Sequence, residues 1–136
     1  MAGHVLLVED SPVIRRLVEV CLRGLERRFA TAEDGPRGLA AALEDPPGLL
    51  ILDIGLPGFD GWEVLRQLRE DPAGARVPVL ILTAHATEED RFLSGEGSAD
   101  AFMTKPFDPE DLRVAAEGLL TGTGGPSINP TSVRLG

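Results

Sequence analysis

Val5-Leu6-Leu7-Val8-Glu9-Asp10-Ser11-Pro12 is four apolar residues, two acids, a hydroxyl and a proline, and that order decides how the chain folds. An apolar run without polar alternation is the pattern of a strand covered on both faces. The two acids stop the run, Ser11 is a good N-cap, and Pro12 suits the first turn of a helix. Ile14, Leu17, Val18, Cys21, Leu22 and Leu25 then recur at the i, i+3, i+4, i+7 spacing of an amphipathic helix. The stretch reads as a buried strand passing directly into a helix.

The same unit repeats along the chain. Further short runs at Phe29-Ala30-Thr31-Ala32, Leu49-Leu50-Ile51-Leu52, Val77 through Leu82 and Ala101 through Thr104 alternate with helical patterns. The second run is the weakest and belongs toward an edge. Gly35 to Glu44 predicts a second helix ended by Pro46-Pro47, and Asp60 and Asp108 are placed to cap a third and a fifth. Val64, Leu65 and Leu68 face inward on one of these, Leu112, Ala115, Ala116 and Leu119 on the other. Thr87 to Ser94 predicts a fourth helix, cut short by Gly95 and Gly97. A strict βα repeat implies right-handed crossovers and a doubly wound, five-stranded parallel sheet. Ligands of such sheets bind at the carboxyl ends of the strands, so the polar residues standing there matter most.

Composition narrows the classes of partner. With 136 residues and 43% hydrophobic content the chain supports one domain with a real core. Its net charge of −9 argues against direct contact with nucleic acid or anionic membrane, both of which select basic faces. Val5 to Val8 is far too short for a signal-peptide core or a membrane span. The lone Cys21 lies in an apolar helical stripe and reads as a buried structural thiol, which fits a reducing cytoplasm. From Thr121 onward, Thr-Gly-Thr-Gly-Gly-Pro-Ser-Ile-Asn-Pro-Thr-Ser has linker composition. Residues 1–120 are therefore expected to form the domain and residues 121–136 a flexible tail or linker.

Glu9 and Asp10 follow the first strand, Asp53 the third, Thr83 the fourth and Lys105 the fifth, so the fold would bring all five together. Lys105 is the one lysine among thirteen basic residues, and it sits immediately before Pro106. A lysine is a compact point charge on a flexible stem, where arginine is a planar fork. Three neighbouring carboxylates are tolerable only with a proton or a cation among them. With oxygen ligands and no His or Cys, the donor set favours a hard ion, Mg²⁺ over Ca²⁺ where waters are kept. Asp53 can then act as a nucleophile toward a phosphoryl group, with Lys105 and the Thr83 hydroxyl offsetting charge on its oxygens. The blander reading, that acids at strand ends only cap the next helix, fits Asp10 or Asp53 singly better than it fits all five positions.

Val5 to Ser11 (VLLVEDS), Leu52 to Gly61 (LDIGLPGFDG), Leu82-Thr83-Ala84 and Lys105-Pro106-Phe107 together resemble the receiver domain of two-component response regulators. The resemblance covers residues 4 to 120, with four motifs in order and at matching distances. It implies a flavodoxin-like (βα)5 fold with strand order 2-1-3-4-5. It also implies that Asp53 is phosphorylated from the phosphohistidine of a sensor histidine kinase or histidine phosphotransfer protein. Glu9, Asp10, Asp53 and the backbone carbonyl of Gly55 would hold Mg²⁺, and Lys105 would precede a cis bond to Pro106. Thr83 and Phe102 would form a switch pair, and the fourth helix, fifth strand and fifth helix an output face. Homodimerisation on phosphorylation is common in the family.

Some positions depart from the family pattern. Position 9 is Glu where Asp is commoner, so the longer side chain is able to reach a metal through water. Phe102 stands where Tyr is frequent, and the chain has no tyrosine, which excludes a phenolic readout. Ser98 takes the place of a usual turn glycine. Gly55 and His85 lie two residues beyond Asp53 and Thr83, flanking the expected path of a hydrolytic water. Trp62 opens the third helix and is expected to half-pack against the sheet. Arg15 and Arg16 lie on the polar side of the first helix, read as a solvated face beside the mouth where a kinase would dock.

Three other classes can be weighed. A non-phosphorylated interaction module on this fold would more naturally have lost Asp53, Thr83 or Lys105. A phosphohydrolase with an aspartyl nucleophile would want a second acid two residues later to protonate its leaving group, and that residue is Gly55. A flavin site would need a phosphate-cradling loop after the first strand and aromatic residues to stack the ring.

Overall fold

The computed structural model describes residues 3–122 and 133–135. Five strands, β1 (Val5–Val8), β2 (Phe29–Ala32), β3 (Leu49–Leu52), β4 (Val79–Thr83) and β5 (Ala101–Thr104), pair in parallel in the order β2-β1-β3-β4-β5. Helices α1 (Pro12–Leu22), α2 (Gly35–Glu44), α3 (Gly61–Glu70), α4 (Glu89–Leu93) and α5 (Pro109–Thr121) cover it. The five-stranded doubly wound sheet read from the sequence is present. A sixth strand, β6 (Val133–Leu135), adds antiparallel to the outer edge of β5. It comes from the stretch read as tail, and three residues carry no periodic signal that would announce a strand.

Period-two alternation in the central strands sorts the core into two layers. Leu6, Val8, Leu50, Leu52, Val79 and Ile81 point toward α2 and α3, meeting Val64, Leu65 and Leu68. Val5, Leu7, Leu49, Ile51, Leu80 and Leu82 point the other way, toward Val18 and Leu22 of α1 and Leu112, Ala115 and Ala116 of α5. All four residues of β1 and of β3 are buried, which is why those runs carry no polar alternation. Each fully buried Leu or Ile contributes about 1.5–3 kcal/mol relative to exposure, against which stands the entropy lost in ordering the chain.

The predicted caps work as read. Ser11 Oγ accepts from the Ile14 N–H at 3.3 Å, Asp60 Oδ1 from Glu63 at 3.0 Å, and Asp108 Oδ1 from Glu110 at 2.8 Å. Each is worth about 1 kcal/mol. Gly61, the first residue of α3, is there for a different reason, since a Cβ at this position would lie 2.5 Å from the Asp53 carbonyl oxygen. Only glycine lets α3 start this close to the end of β3.

Boundaries differ from the sequence reading in three places. The first helix ends at Leu22 and tightens into a 3₁₀ turn over Arg23–Leu25, with Glu26 left-handed at φ 58°. The fourth strand begins at Val79, because Pro78 has no N–H to donate. The fourth helix shrinks to Glu89–Leu93 between 3₁₀ turns, and Gly95, Gly97 and Ser98 after it all have positive φ.

Candidate functional site

Register sets the site. Val8 is level with Leu52, Leu52 with Ile81, and Thr83 with Thr104, so β1, β3, β4 and β5 end at neighbouring heights. The backbone extends the alignment by one residue: the Asp53 N–H donates to the Val8 carbonyl at 3.0 Å and the Lys105 N–H to the Thr83 carbonyl at 2.9 Å. Glu9, Asp53, Thr83 and Lys105 thus leave the sheet side by side.

Their side chains meet. Lys105 Nζ lies 2.7 Å from Glu9 Oε1 and 3.3 Å from Asp53 Oδ2. The other Glu9 oxygen accepts from the Ser11 N–H at 3.1 Å, and Asp53 Oδ1 accepts from the Gly55 N–H at 3.2 Å. Glu9, Asp53 and Thr83 are buried, whereas Asp10 stands exposed at the rim. Burial pushes the Glu9 carboxyl above its usual value, and the neighbouring Asp53 charge adds to this, while Lys105 and the Ser11 N–H pull it back.

One oxygen from each of Glu9, Asp10 and Asp53 falls within 4.8 Å of the others. A single ammonium, that of Lys105, bonds to this group among the described residues, so the cluster keeps an acidic excess that a cation would relieve. Oxygen donors only, one exposed to water, suit a hard divalent ion that retains part of its hydration shell.

Thr83 has no exposed surface, and its Oγ1 accepts from the His85 N–H at 3.2 Å. His85 is exposed and lies over Gly55: a Cβ on Gly55 would sit 3.1 Å from the His85 Nε2. Phe102 is buried, its ring centroid 5.6 Å from that of Phe92. The bond from Lys105 to Pro106 is cis.

Two residues have more to do than the sequence suggested. Arg15, read there as part of a solvated face, sends Nη1 to the carbonyl oxygens of Glu9 at 2.9 Å and Asp10 at 3.1 Å. It fixes the backbone that carries both acids. Trp62, expected to half-pack, is only 4% exposed and donates its indole N–H to Glu88 Oε1 at 2.7 Å. The Arg91 guanidinium stacks 4.6 Å above the same ring. Neither contact is visible in sequence, since the partners are carbonyls and a side chain brought near only by the fold.

No helix among the described residues is long and apolar enough to cross a membrane. A family model for the response regulator receiver domain matches residues 5–117. The KDP operon transcriptional regulatory protein KdpE of Escherichia coli is 41% identical over 111 residues, 82% of this chain and 48% of KdpE. The chain spans between 24% and 57% of the length of the curated relatives it matches. Among solved structures, the chemotaxis response regulator CheY4 of Vibrio cholerae aligns with a TM-score of 0.79 and 29% identity, covering 88% of this chain and 100% of that one. The receiver domain of the sensor histidine kinase PA1611 of Pseudomonas aeruginosa aligns equally well, TM-score 0.79 at 30% identity over 89% of this chain and 99% of that one. That domain has a magnesium ion coordinated in its active site cleft.

Proposed function

This chain belongs to the response regulator receiver family, a family of signalling domains rather than turnover enzymes, and from that premise we propose that Asp53 is its phosphoacceptor. The observation that carries the reading is Lys105 Nζ, 3.3 Å from Asp53 Oδ2 among three carboxylates that converge at the ends of β1 and β3. An Asp53 oxygen attacks the phosphorus of a phosphohistidine on a sensor histidine kinase or phosphotransfer protein. The P–N bond breaks, its electron pair stays on the imidazole, which takes up a proton, and Asp53 becomes an acyl phosphate. Water later cleaves the new P–O bond, returning the carboxylate and inorganic phosphate.

Lys105 supplies fixed positive charge to the incoming oxygens, and the Thr83 hydroxyl donates to another once it leaves His85. Glu9, Asp10, Asp53 and the Gly55 carbonyl would hold Mg²⁺, which when bound neutralises the acids and polarises the phosphoryl oxygens. Arg15 keeps the Glu9-Asp10 backbone in place for that purpose. Phe102 follows Thr83, filling the space its side chain vacates, so that α4, β5 and α5 present a changed face to an output partner or effector domain. Phosphorylation biases two arrangements that already exist.

Residues 1–120 form the receiver on this reading; of the stretch 121–136 read as tail or linker, Val133–Leu135 returns to the sheet as β6, and 123–132 and 136 lie outside the described residues. The acidic surface argues against direct nucleic-acid binding, and the lone Cys21 suits the cytoplasm. The test is intact mass after incubation with Mg²⁺ and acetyl phosphate, for wild type and Asp53→Ala. A single phosphoryl addition lost in the variant supports the reading; no addition beside a competent control regulator overturns it. Rapid catalytic release of phosphate would favour a hydrolase instead.

A further inference from the structure

The stretch from Thr83 to Glu88 is pinned at both ends. At its start the His85 N–H donates to Thr83 Oγ1 at 3.2 Å; at its end Glu88 Oε1 takes the Trp62 indole N–H at 2.7 Å. The two posts differ in rigidity. Trp62 follows Gly61, where even a Cβ would lie only 2.5 Å from the Asp53 carbonyl oxygen, and its ring is buried at the root of α3. Glu88 belongs to a 3₁₀ turn that runs into a helix of only five residues with no side-chain cap.

Helix α4 has little stability of its own. A five-residue helix is too short to persist without tertiary contacts. Among its anchors are Phe92 in the core, the Trp62–Glu88 hydrogen bond, Arg91 stacked on the Trp62 ring, and the ion pairs of Arg91 with Glu88 and Glu96. Leu93 is 60% exposed. Trp62, Arg91 and Arg69 line an open groove of about 890 Å³ between α3 and α4, so a shift of α4 there meets no packed wall.

We propose that Trp62 is a positioning residue: its indole N–H latches Glu88, and so the whole 84–88 segment, in the arrangement that leaves the Thr83 hydroxyl on His85. The inference rests on phosphorylation of Asp53. A phosphoryl group that draws the Thr83 hydroxyl away leaves the His85 N–H without its partner, and the 84–88 segment moves to repair the loss. The latch opposes that movement. By linkage, loosening it must favour phosphorylation by the same factor that phosphorylation loosens it.

Trp62 is the single tryptophan, so emission reports on this one ring and its contacts with Glu88 and Arg91. The experiment follows intact mass and Trp62 emission together for wild type, Glu88→Ala and Glu88→Gln, with Mg²⁺ and acetyl phosphate. Wild type should gain the phosphoryl group with a matching change in emission. Glu88→Ala should start with altered emission and be phosphorylated about three- to tenfold faster, the range of one ordinary hydrogen bond. Glu88→Gln, whose amide oxygen still accepts the indole N–H, should stay within about twofold of wild type on the same scale. Trp62→Phe, which keeps a ring beneath Arg91 but has no N–H, should match Glu88→Ala in rate if that variant folds poorly. A phosphoryl adduct with unchanged emission, or equal rates in wild type, Glu88→Ala and Trp62→Phe, overturns the latch and leaves the Asp53 reading intact. No adduct in any variant overturns the Asp53 reading and the latch with it.

Discussion

Lys105 Nζ sits 2.7 Å from Glu9 Oε1, closer than to the Asp53 oxygen at 3.3 Å. The ammonium is therefore engaged mainly with the more deeply buried acid, and Asp53 keeps an oxygen that is only partly neutralised. A charge shared in this way can pivot between the two carboxyls without leaving the cluster.

Removing it should expose the repulsion within the cluster. In Lys105→Ala the Glu9 and Asp53 carboxylates lose the one side-chain cation bonded to them among the described residues. We expect a loss of about 2–4 kcal/mol in metal-free buffer near neutral pH, toward the lower end for a buried pair because Asp10 is open to water. Mg²⁺ should then raise the melting temperature more in the variant than in wild type, since no ammonium competes with the ion for Glu9. Differential scanning calorimetry with and without Mg²⁺ checks both. Equal metal-free stability of the two proteins would remove the counter-charge role.

Arg69 ties two stretches, 74–77 and 97–98, to α3. Nε donates to the Gly97 carbonyl at 3.0 Å, Nη1 to those of Gly74 at 3.0 Å and Val77 at 2.7 Å, and Nη2 to that of Ser98 at 2.9 Å. Arg69→Ala should cost about 2–4 kcal/mol by stranding these partly buried carbonyls. Arg69→Lys should recover little, because one ammonium cannot span the fork. Urea midpoints of the three proteins decide it, and full rescue by lysine would show that charge alone matters.

Much of the fold was legible because its strands are buried on both faces and its helices carry their own caps. Val5–Val8 and Leu49–Leu52 had no other sensible reading, and Ser11, Asp60 and Asp108 stand where caps are expected. The convergence of Glu9, Asp10 and Asp53 followed from topology, since the first two stand at the end of β1 and the third at the end of its neighbour β3. What stayed hidden depends on contacts between distant segments. The α3 residues Trp62 and Arg69 show nothing in sequence of their partners Glu88, Gly97 and Ser98. The late start of α4 comes from the 3₁₀ turn before it, which residue preferences over 87–94 do not reveal, whereas its end before Gly95 is where the glycines place it.

Ser98 is one of those positions, at φ 56° in the left-handed region, where a side chain costs about 1 kcal/mol. Ser98→Gly should therefore raise stability by about 0.5–1 kcal/mol, provided the Ser98 carbonyl keeps its bond to Arg69, which a backbone group does. A higher urea midpoint with an unchanged slope is the expected result. A lower midpoint would mean that the added freedom of the unfolded chain outweighs the relieved strain.

His4 gives the clearest pH dependence. Its imidazole is buried beneath the sheet, and burial pulls its pKa below the ordinary value; the nearby Arg28 guanidinium lowers it further, while Asp45 acts the other way. In the unfolded chain the ring takes up a proton as pH falls through about 6.5, while the folded protein still resists. The unfolded state then binds more protons, so stability must fall. The contribution from neutral His4 is complete above the unfolded-state pKa and is lost as pH drops through the depressed folded value. Arg28 carries its own bond to Asp45 at 2.9 Å, so the opposing carboxylate is already engaged and cannot fully rescue the imidazolium. Wild type should lose more stability than His4→Gln between about pH 7.5 and 5.5, because only wild type has a ring to charge in that window. Chemical denaturation at both pH values measures the difference, and parallel declines in the two proteins would show that His4 charges as readily in the fold as outside it.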